Sequence, residues 1–412
     1  MAQPKPVSTA GAVRPSALGR ETALGGGGAK LSDADRRRGL FFIGLAAAGT
    51  GLALTLQASL NNNFLVGEIG ISGFQAGLLE CVRETCGILA LGLFAIIAGL
   101  AEPVIATFAL LFVTAGLTSY SFAPSYGFVM LMSLTWSMGF HVWTPLPNSM
   151  TLALAEPGRA GARLGRVGAM GALGSGIGLV AAFALTEFGV RIRPLYILAG
   201  GATLLAAAAC LRIPRHLKAP GPSFVYRRRY LRYYMLNFLE GWRKQIAICF
   251  GGFLLVRIYH APLLEILILN AAIQTIGYFL SPRVGKLIDR IGERSILTFY
   301  YVTVTILFLG YAFIKDKYLL YAIYILDNAT FVFNTGLTTY VNKIAPKSEH
   351  RPTLSMGVAA NHVAAVCMPL LGGILWTTLG YQWAFLVGLP AAAASIAIVS
   401  GLPGGTRQVT ST

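Results

Sequence analysis

The stretch SPRVGKLIDRIGER, residues 281–294, is charged and polar, and it lies between two long apolar runs, 263–281 and 296–314. Inside it, Gly285, Asp289, Arg290, Gly292 and Arg294 follow the spacing G-x-x-x-D-R-x-G-x-R. A glycine allows close backbone approach to a neighbouring helix. The aspartate can sit against another helix's positive N-terminal end, and the arginines can pair with acids or with lipid phosphate. The same residues also suit a plain solvated basic loop that only fixes topology.

Working outward, the chain of 412 residues is 55% hydrophobic and 12% charged. Soluble domains carry roughly 25% charged residues, so this is an integral membrane protein. A net charge of +17 would suggest nucleic acid in a soluble protein, but here the basic residues fall in short loops between apolar runs. The positive-inside rule accounts for them, and no nucleic-acid partner is expected. Cys81, Cys86, Cys210, Cys249 and Cys367 all lie in apolar runs without a paired spacing, so they read as reduced packing residues.

A span needs about 20 apolar residues. On that basis the sequence predicts twelve: 40–63, 73–98, 103–121, 126–152, 166–187, 193–212, 231–256, 263–283, 296–314, 318–342, 353–377 and 383–402. Residues 1–38 read as a disordered cytosolic tail rich in Gly, Ala, Pro and Ser, without a signal-peptide core. Lys and Arg crowd one side, at Arg36–Arg38, Arg159, Arg163, Arg166, Arg227–Arg229, Arg283, Lys286 and Lys343, against Arg191, Arg193, Arg257, Lys315 and Lys317 on the other. Both termini are therefore expected in the cytoplasm, in a multi-pass protein of the cell (inner) membrane.

The pattern repeats at an offset near 191: Arg36–Arg38 matches Arg227–Arg229, Phe64 to Val66 lies about 190 residues before Phe253 to Val256, and Gly189 matches Gly380. Such duplication predicts an all-α membrane protein of two pseudo-symmetric six-helix halves, with a substrate site at their interface. The halves are 39–212 and 231–404, joined by a cytosolic linker at 213–230 and followed by a tail at 405–412.

Further along, Pro369, Gly372, Gly373 and Trp376 precede Gly380-Tyr381-Gln382-Trp383-Ala384-Phe385. This run, P-x-x-G-G followed by G-x-x-W-x-F, and the 285–294 spacing resemble the major facilitator superfamily of transporters. The resemblance covers residues 36–404, and it implies that spans one, four, seven and ten line a central cavity. It also marks departures. Gly99-Leu-Ala-Glu102-Pro103 stands where the first charged loop belongs, so its acid–arginine latch is expected to be largely missing, and Glu293 replaces a basic residue. Span five carries glycines but no proline-containing antiporter signature.

Ionisable residues inside spans are costly and usually functional. Span two holds Glu80, Arg83 and Glu84 on neighbouring turns, a proton-coupling or a purely structural ion cluster. Span seven holds Glu240, Arg243 and Lys244; subtracting the offset places them inside span one's equivalent, so they are expected at mid-depth facing the cavity. Asp327 lacks a basic neighbour at helical spacing and joins the proton-coupling set. With the resemblance, the substrate-binding candidates are His141, Asn148, Glu240, Arg243, Lys244, Asp327 and Asn334. Gly285, Asp289, Arg290, Gly292 and Arg294 are the gating-loop candidates. A lone histidine in a helix is commonly a packing residue.

No phosphate-binding loop, HExxH or nucleophile elbow occurs, so neither an enzyme nor a cofactor is expected. The reading is a secondary transporter of a small polar or anionic organic solute, proton-coupled, working by alternating access as a monomer in the lipid bilayer. Two alternatives stay open: a metal-ion carrier using His141, Asp327, His362 and the span-two acids, whose side chains would have to converge, and a non-transporting scaffold or sensor.

Overall fold

The computed structural model describes residues 32–156, 158–218 and 226–402. Those residues are helical apart from short connections and one isolated bridge between Ala101 and Lys218. The helices are α1 (Asp33–Asn63), α2 (Gly73–Ile96), α3 (Glu102–Ser119), α4 (Tyr126–Trp143), α5 (Leu146–Leu154), α6 (Ala160–Glu187) and α7 (Ile192–Cys210). After the linker come α8 (Leu231–Arg257), α9 (Leu263–Phe313), α10 (Lys317–Thr330), α11 (Thr335–Ile344), α12 (Lys347–Thr378), α13 (Tyr381–Leu386) and α14 (Leu389–Ser400). Among the described residues, seven helices are long and apolar enough to cross a membrane. The protein is thus all-α and multi-pass. Its outer surface agrees: Phe108, Val180, Phe188, Leu205 and Ile306 are exposed, whereas Glu240, Arg243 and Asp327 are buried. That inversion is what a lipid solvent selects.

Local chemistry explains several boundaries. Ser32 caps α1 by accepting from the Asp35 N–H at 3.0 Å. The helix therefore starts at Asp33, and the last residues of the expected tail, including Arg36–Arg38, are helical. Ser72 and Gln75 form a capping box at the start of α2. Pro145 separates α4 from α5, and a 3-10 turn at Phe331–Asn334 separates α10 from α11. Gly292, at φ 82°, breaks α9 into two helices, a conformation that glycine alone adopts without strain. Residues 1–31, 219–225 and 403–412, which include most of the expected tails and part of the linker, lie outside the described residues.

The glycines of α6 have a packing reason. A Cβ at Gly174 would collide with the Ala48 carbonyl of α1, while Gly165, Gly168 and Gly176 face open space. Only one stripe of the helix carries the close contact. Gly174→Ala should destabilise by about 1–3 kcal/mol through overpacking, while Gly176→Ala should leave the melting temperature unchanged or raised. Thermal unfolding of the two variants in detergent checks this.

The same packing relations occur before and after the linker. Helix α1 packs on α6 and α7, and α3 on α4 and α7; likewise α8 packs on α12 and α14, and α9 on α10 and α14. Glu102 and Glu293 are both buried, each near a positive-φ glycine, Gly99 and Gly292. Ser149 donates to Glu102 at 2.5 Å, and Lys343 donates to Glu293 at 2.8 Å. The first loop thus also holds a buried carboxylate, with Ser149 as one of its partners. The backbone N–H of Glu102 also donates to Leu217 O at 2.7 Å, tying this loop to the linker.

Nearby, Arg163 donates to Glu156 at 2.9 and 2.5 Å and holds that carboxyl down at about 2, against an ordinary 4.5. The stabilisation this pair supplies is complete above about pH 4.5 and is lost as the pH falls toward 2. Glu156→Gln should flatten that acid limb in a plot of melting temperature against pH.

Candidate functional site

Two polar clusters sit inside the helical body. The first is built on α8, α9 and α10. Arg243 donates to Glu240 Oε1 at 2.7 Å, one turn back on the same helix. Tyr300 donates to the same oxygen at 2.8 Å and lies 2.5 Å from Arg243 Nη2. Arg243 Nη1 is 3.6 Å from Asp327 Oδ1, and Tyr311 reaches Asp327 Oδ2 at 3.5 Å. Rings of Tyr300, Phe308 and Phe331 surround the guanidinium. Glu240, Arg243 and Asp327 are 0%, 1% and 1% exposed, so none reaches the substrate space directly. One cation faces two carboxylates, and Glu240 Oε2, Arg243 Nη1 and Asp327 Oδ1 have no hydrogen-bond partner.

The second cluster joins α2 and α4 to α8 and α12. Glu80 Oε1 accepts from Arg83 at 2.7 Å and from Gln245 at 2.6 Å. Arg83 lies over the Trp136 ring at 5.0 Å. Glu84 Oε2 is 3.1 Å from His362 Nδ1, and the His141 and His362 ring centroids are 5.3 Å apart. A cavity of about 260 Å³ opens beside Glu80 and Arg83, and its wall includes Gln57, Asn61, Asn62, Asn270, Tyr324 and Asn328. Five carboxamides around one hollow offer paired donors and acceptors with little net charge.

The expected site residues are divided by this geometry. Glu240, Arg243 and Asp327 come together, but with each other; the anion-holding task expected of Arg243 is already taken by two carboxylates. Lys244 is half-buried, with Nζ 5.9 Å from the Phe331 ring centroid and no ion pair among the described residues. His141 belongs with Glu84 and His362. Asn148 is exposed on α5, beyond the Pro145 break, and Asn334 lies in the 3-10 turn with its side-chain oxygen unpartnered. Neither lines the cavity.

Of the gating-loop residues, Gly292 makes the break, whereas a Cβ at Gly285 would meet open space, so no helix approaches there. Asp289, Arg290 and Arg294 are exposed and hold no ion pair among the described residues. Of the metal-carrier set, Asp327 is bound to Arg243 instead of the histidines. The sequence reading missed Tyr300 and Gln245, which are uncharged and sit in apolar helices. The adjacent tyrosines Tyr300 and Tyr301, both buried, are the one signal that could have drawn notice.

The Major Facilitator Superfamily model matches residues 41–350 and 250–408. The chain belongs to the major facilitator superfamily. As a member it is a secondary transporter, not an enzyme. No curated protein sequence matches it. Among solved structures it is similar to the nucleoside transporter NupG, with TM-score 0.69 at 13% identity, covering 88% of this chain and 97% of that one. It is similar to a bacterial homologue of the human lysosomal transporter Spinster, inward-facing and unoccupied, with TM-score 0.63 at 12% identity over 90% and 96%. It is also similar to a peptide transporter, POT, in complex with sulfate, with TM-score 0.68 at 11% identity over 88% and 94%. At these identities the likeness is one of fold.

Proposed function

We propose that this superfamily member carries a small polar organic solute by alternating access, driven by protons, through twelve spans in two six-helix halves. The carrying observation is the amide-lined cavity, whose wall includes Glu80, a carboxylate bonded across the chain to Gln245. Glu80 lies before the linker and Gln245 after it, so a proton taken by Glu80 would weaken a bond between the halves. Asp327 and Glu240 offer a second proton position, since the buried trio has one carboxylate more than its cation can balance.

The repeated packing of α1 on α6 and α8 on α12, with the buried Glu102 and Glu293, supports the two halves. With the termini in the cytoplasm, as the basic loops favour, the contacts that join the halves lie from mid-membrane outward. Asn63 donates to Ala261 O at 2.9 Å, Asn270 donates to Ser59 at 3.1 Å, and the Phe74 N–H donates to Thr377 at 3.1 Å. A Cβ at Gly77 would collide with the Pro369 carbonyl. We read the structure as the state closed to the outside.

The carboxamide wall favours a polar over an anionic cargo. Nucleosides and peptides, the cargoes of NupG and of POT, head the compounds to screen. The scaffold or sensor alternative would require a hollow plugged by bulky apolar side chains; the wall of this one has Leu65, Leu79, Ile248 and Phe253 but also five carboxamides, Glu80 and Arg83. Uptake by proteoliposomes is the test: a solute that shifts the protein's melting temperature should accumulate when the outside is acidified. Uptake that ignores the proton gradient would overturn the coupling, and no uptake of any stabilising solute would overturn the cargo class.

A further inference from the structure

We propose that Glu84, His141 and His362 form a binding site for a divalent transition-metal ion of the Zn²⁺ class. Their ligand atoms all lie within 4.8 Å of one another, and the three side chains come from α2, α4 and α12. Among the described residues no other group of three histidine, cysteine or acidic side chains converges in this way. One ring nitrogen of His141 is already engaged by its own helix. Its Nδ1 lies 2.9 Å from Ser137 O, which can only accept, so Nδ1 holds the hydrogen and Nε2 presents a lone pair. That is the outer support metal-binding imidazoles ordinarily have. The His362 ring lies against Gly87, where a Cβ would clash with it, so the bare backbone of α2 is what admits the ring.

The donor set selects the ion. Two imidazoles and one carboxylate suit a borderline cation with a fourth position open to water. Hard Mg²⁺ and Ca²⁺ prefer oxygen shells. Arg83 stands beside Glu84, but it is committed to Glu80 at 2.7 Å. Glu80, Arg83 and Glu84 together carry one net negative charge, which a cation offsets. The three side chains are largely withdrawn from the surface, and an ion would require its ligand atoms at roughly 2 Å.

Occupancy has a mechanical consequence. Helices α2 and α4 precede the linker and α12 follows it, so one ion would tie the halves together in the present arrangement. This consequence rests on the transport reading; the binding does not. The test uses chelator-stripped, full-length protein in detergent, titrated with ZnCl2 or CoCl2 and with MgCl2 as control. Zinc should raise the melting temperature saturably, cobalt should develop the visible absorption of a low-symmetry site, and magnesium should do neither. His141→Ala, His362→Ala and Glu84→Gln should each lower apparent affinity by at least the roughly 10- to 100-fold that losing even an outer partner costs. Glu84→Gln keeps the shape of the side chain, so it remains informative if a histidine variant fails to fold.

No response in the wild type, or wild-type affinity retained in all three variants, would overturn the site; in the latter case the ions go to His216, His260 or His350. Neither readout needs a substrate, so failure here is separate from failure of the transport reading. With a transported solute in hand, zinc should stop uptake by the wild type and spare His362→Ala. Binding without inhibition would overturn the locking.

Discussion

Arg243→Ala should remove about 3–5 kcal/mol of stability, enough to prevent accumulation of the folded protein. The cost comes from what remains. Glu240 and Asp327 are 0% and 1% exposed, and without the guanidinium they become two buried carboxylates with no cation. Tyr300 would keep its 2.8 Å bond to Glu240, but a phenol cannot balance a charge. Arg243→Lys restores the charge without the planar fork that reaches Glu240 and Asp327 together, so it should recover only part of the loss.

The informative control is Arg243→Met combined with Glu240→Gln and Asp327→Asn. It removes all three charges at similar volume, and replacing a buried ion cluster by neutral groups is often harmless to stability. This triple variant should fold with a melting temperature near the wild type's and still fail in proton-driven uptake. Should Arg243→Ala alone melt with the wild type, the buried cluster would not hold the fold together. Uptake by the triple variant at full rate would remove the trio from the mechanism.

How far the sequence announces this site depends on which residues are asked. Charges in apolar runs are legible because their cost is set by composition and depth alone, so Glu80, Arg83, Glu240, Arg243 and Asp327 stand out at once. Their partners are not. Arg243 and Asp327 are 3.6 Å apart but belong to different helices, and helical spacing reports only neighbours on the same one. Gln245 and Tyr300 pass as packing residues until the tertiary structure places them on a carboxylate.

Asn148 and Asn334 lie outside the cavity wall for a related reason. Span number alone places them, but Asn148 lies beyond the break at Pro145 and Asn334 lies within the 3-10 turn Phe331–Asn334, so the span is not one continuous helix at either residue. The α1 boundary is different, because Ser32 followed by Asp35 is a capping signal present in the chain itself. Gly285 and Gly292 lie in one motif, but only the φ of 82° at Gly292 shows which of them the backbone needs.

Glu80→Gln should abolish uphill transport while leaving the protein folded and able to exchange solute down its gradient. The glutamine keeps an oxygen that can accept from Gln245 and Arg83, now at 2.6 and 2.7 Å, so the contact between α2 and α8 survives in shape. What it cannot do is gain and lose a proton. One charge moved across about 100 mV is worth about 2.3 kcal/mol, which is roughly a 50-fold ratio of accumulation at 1.36 kcal/mol per factor of ten.

Proteoliposomes with a fixed membrane potential measure that ratio directly, and counterflow without a gradient measures whether the cycle itself still runs. Loss of both would mean that Glu80 is needed for binding or folding. An unchanged ratio would move the proton to Glu240 or Asp327. Loss of accumulation with counterflow intact is the result that assigns the coupling to Glu80, because only a group whose protonation drives the cycle can uncouple it from the gradient without stopping it.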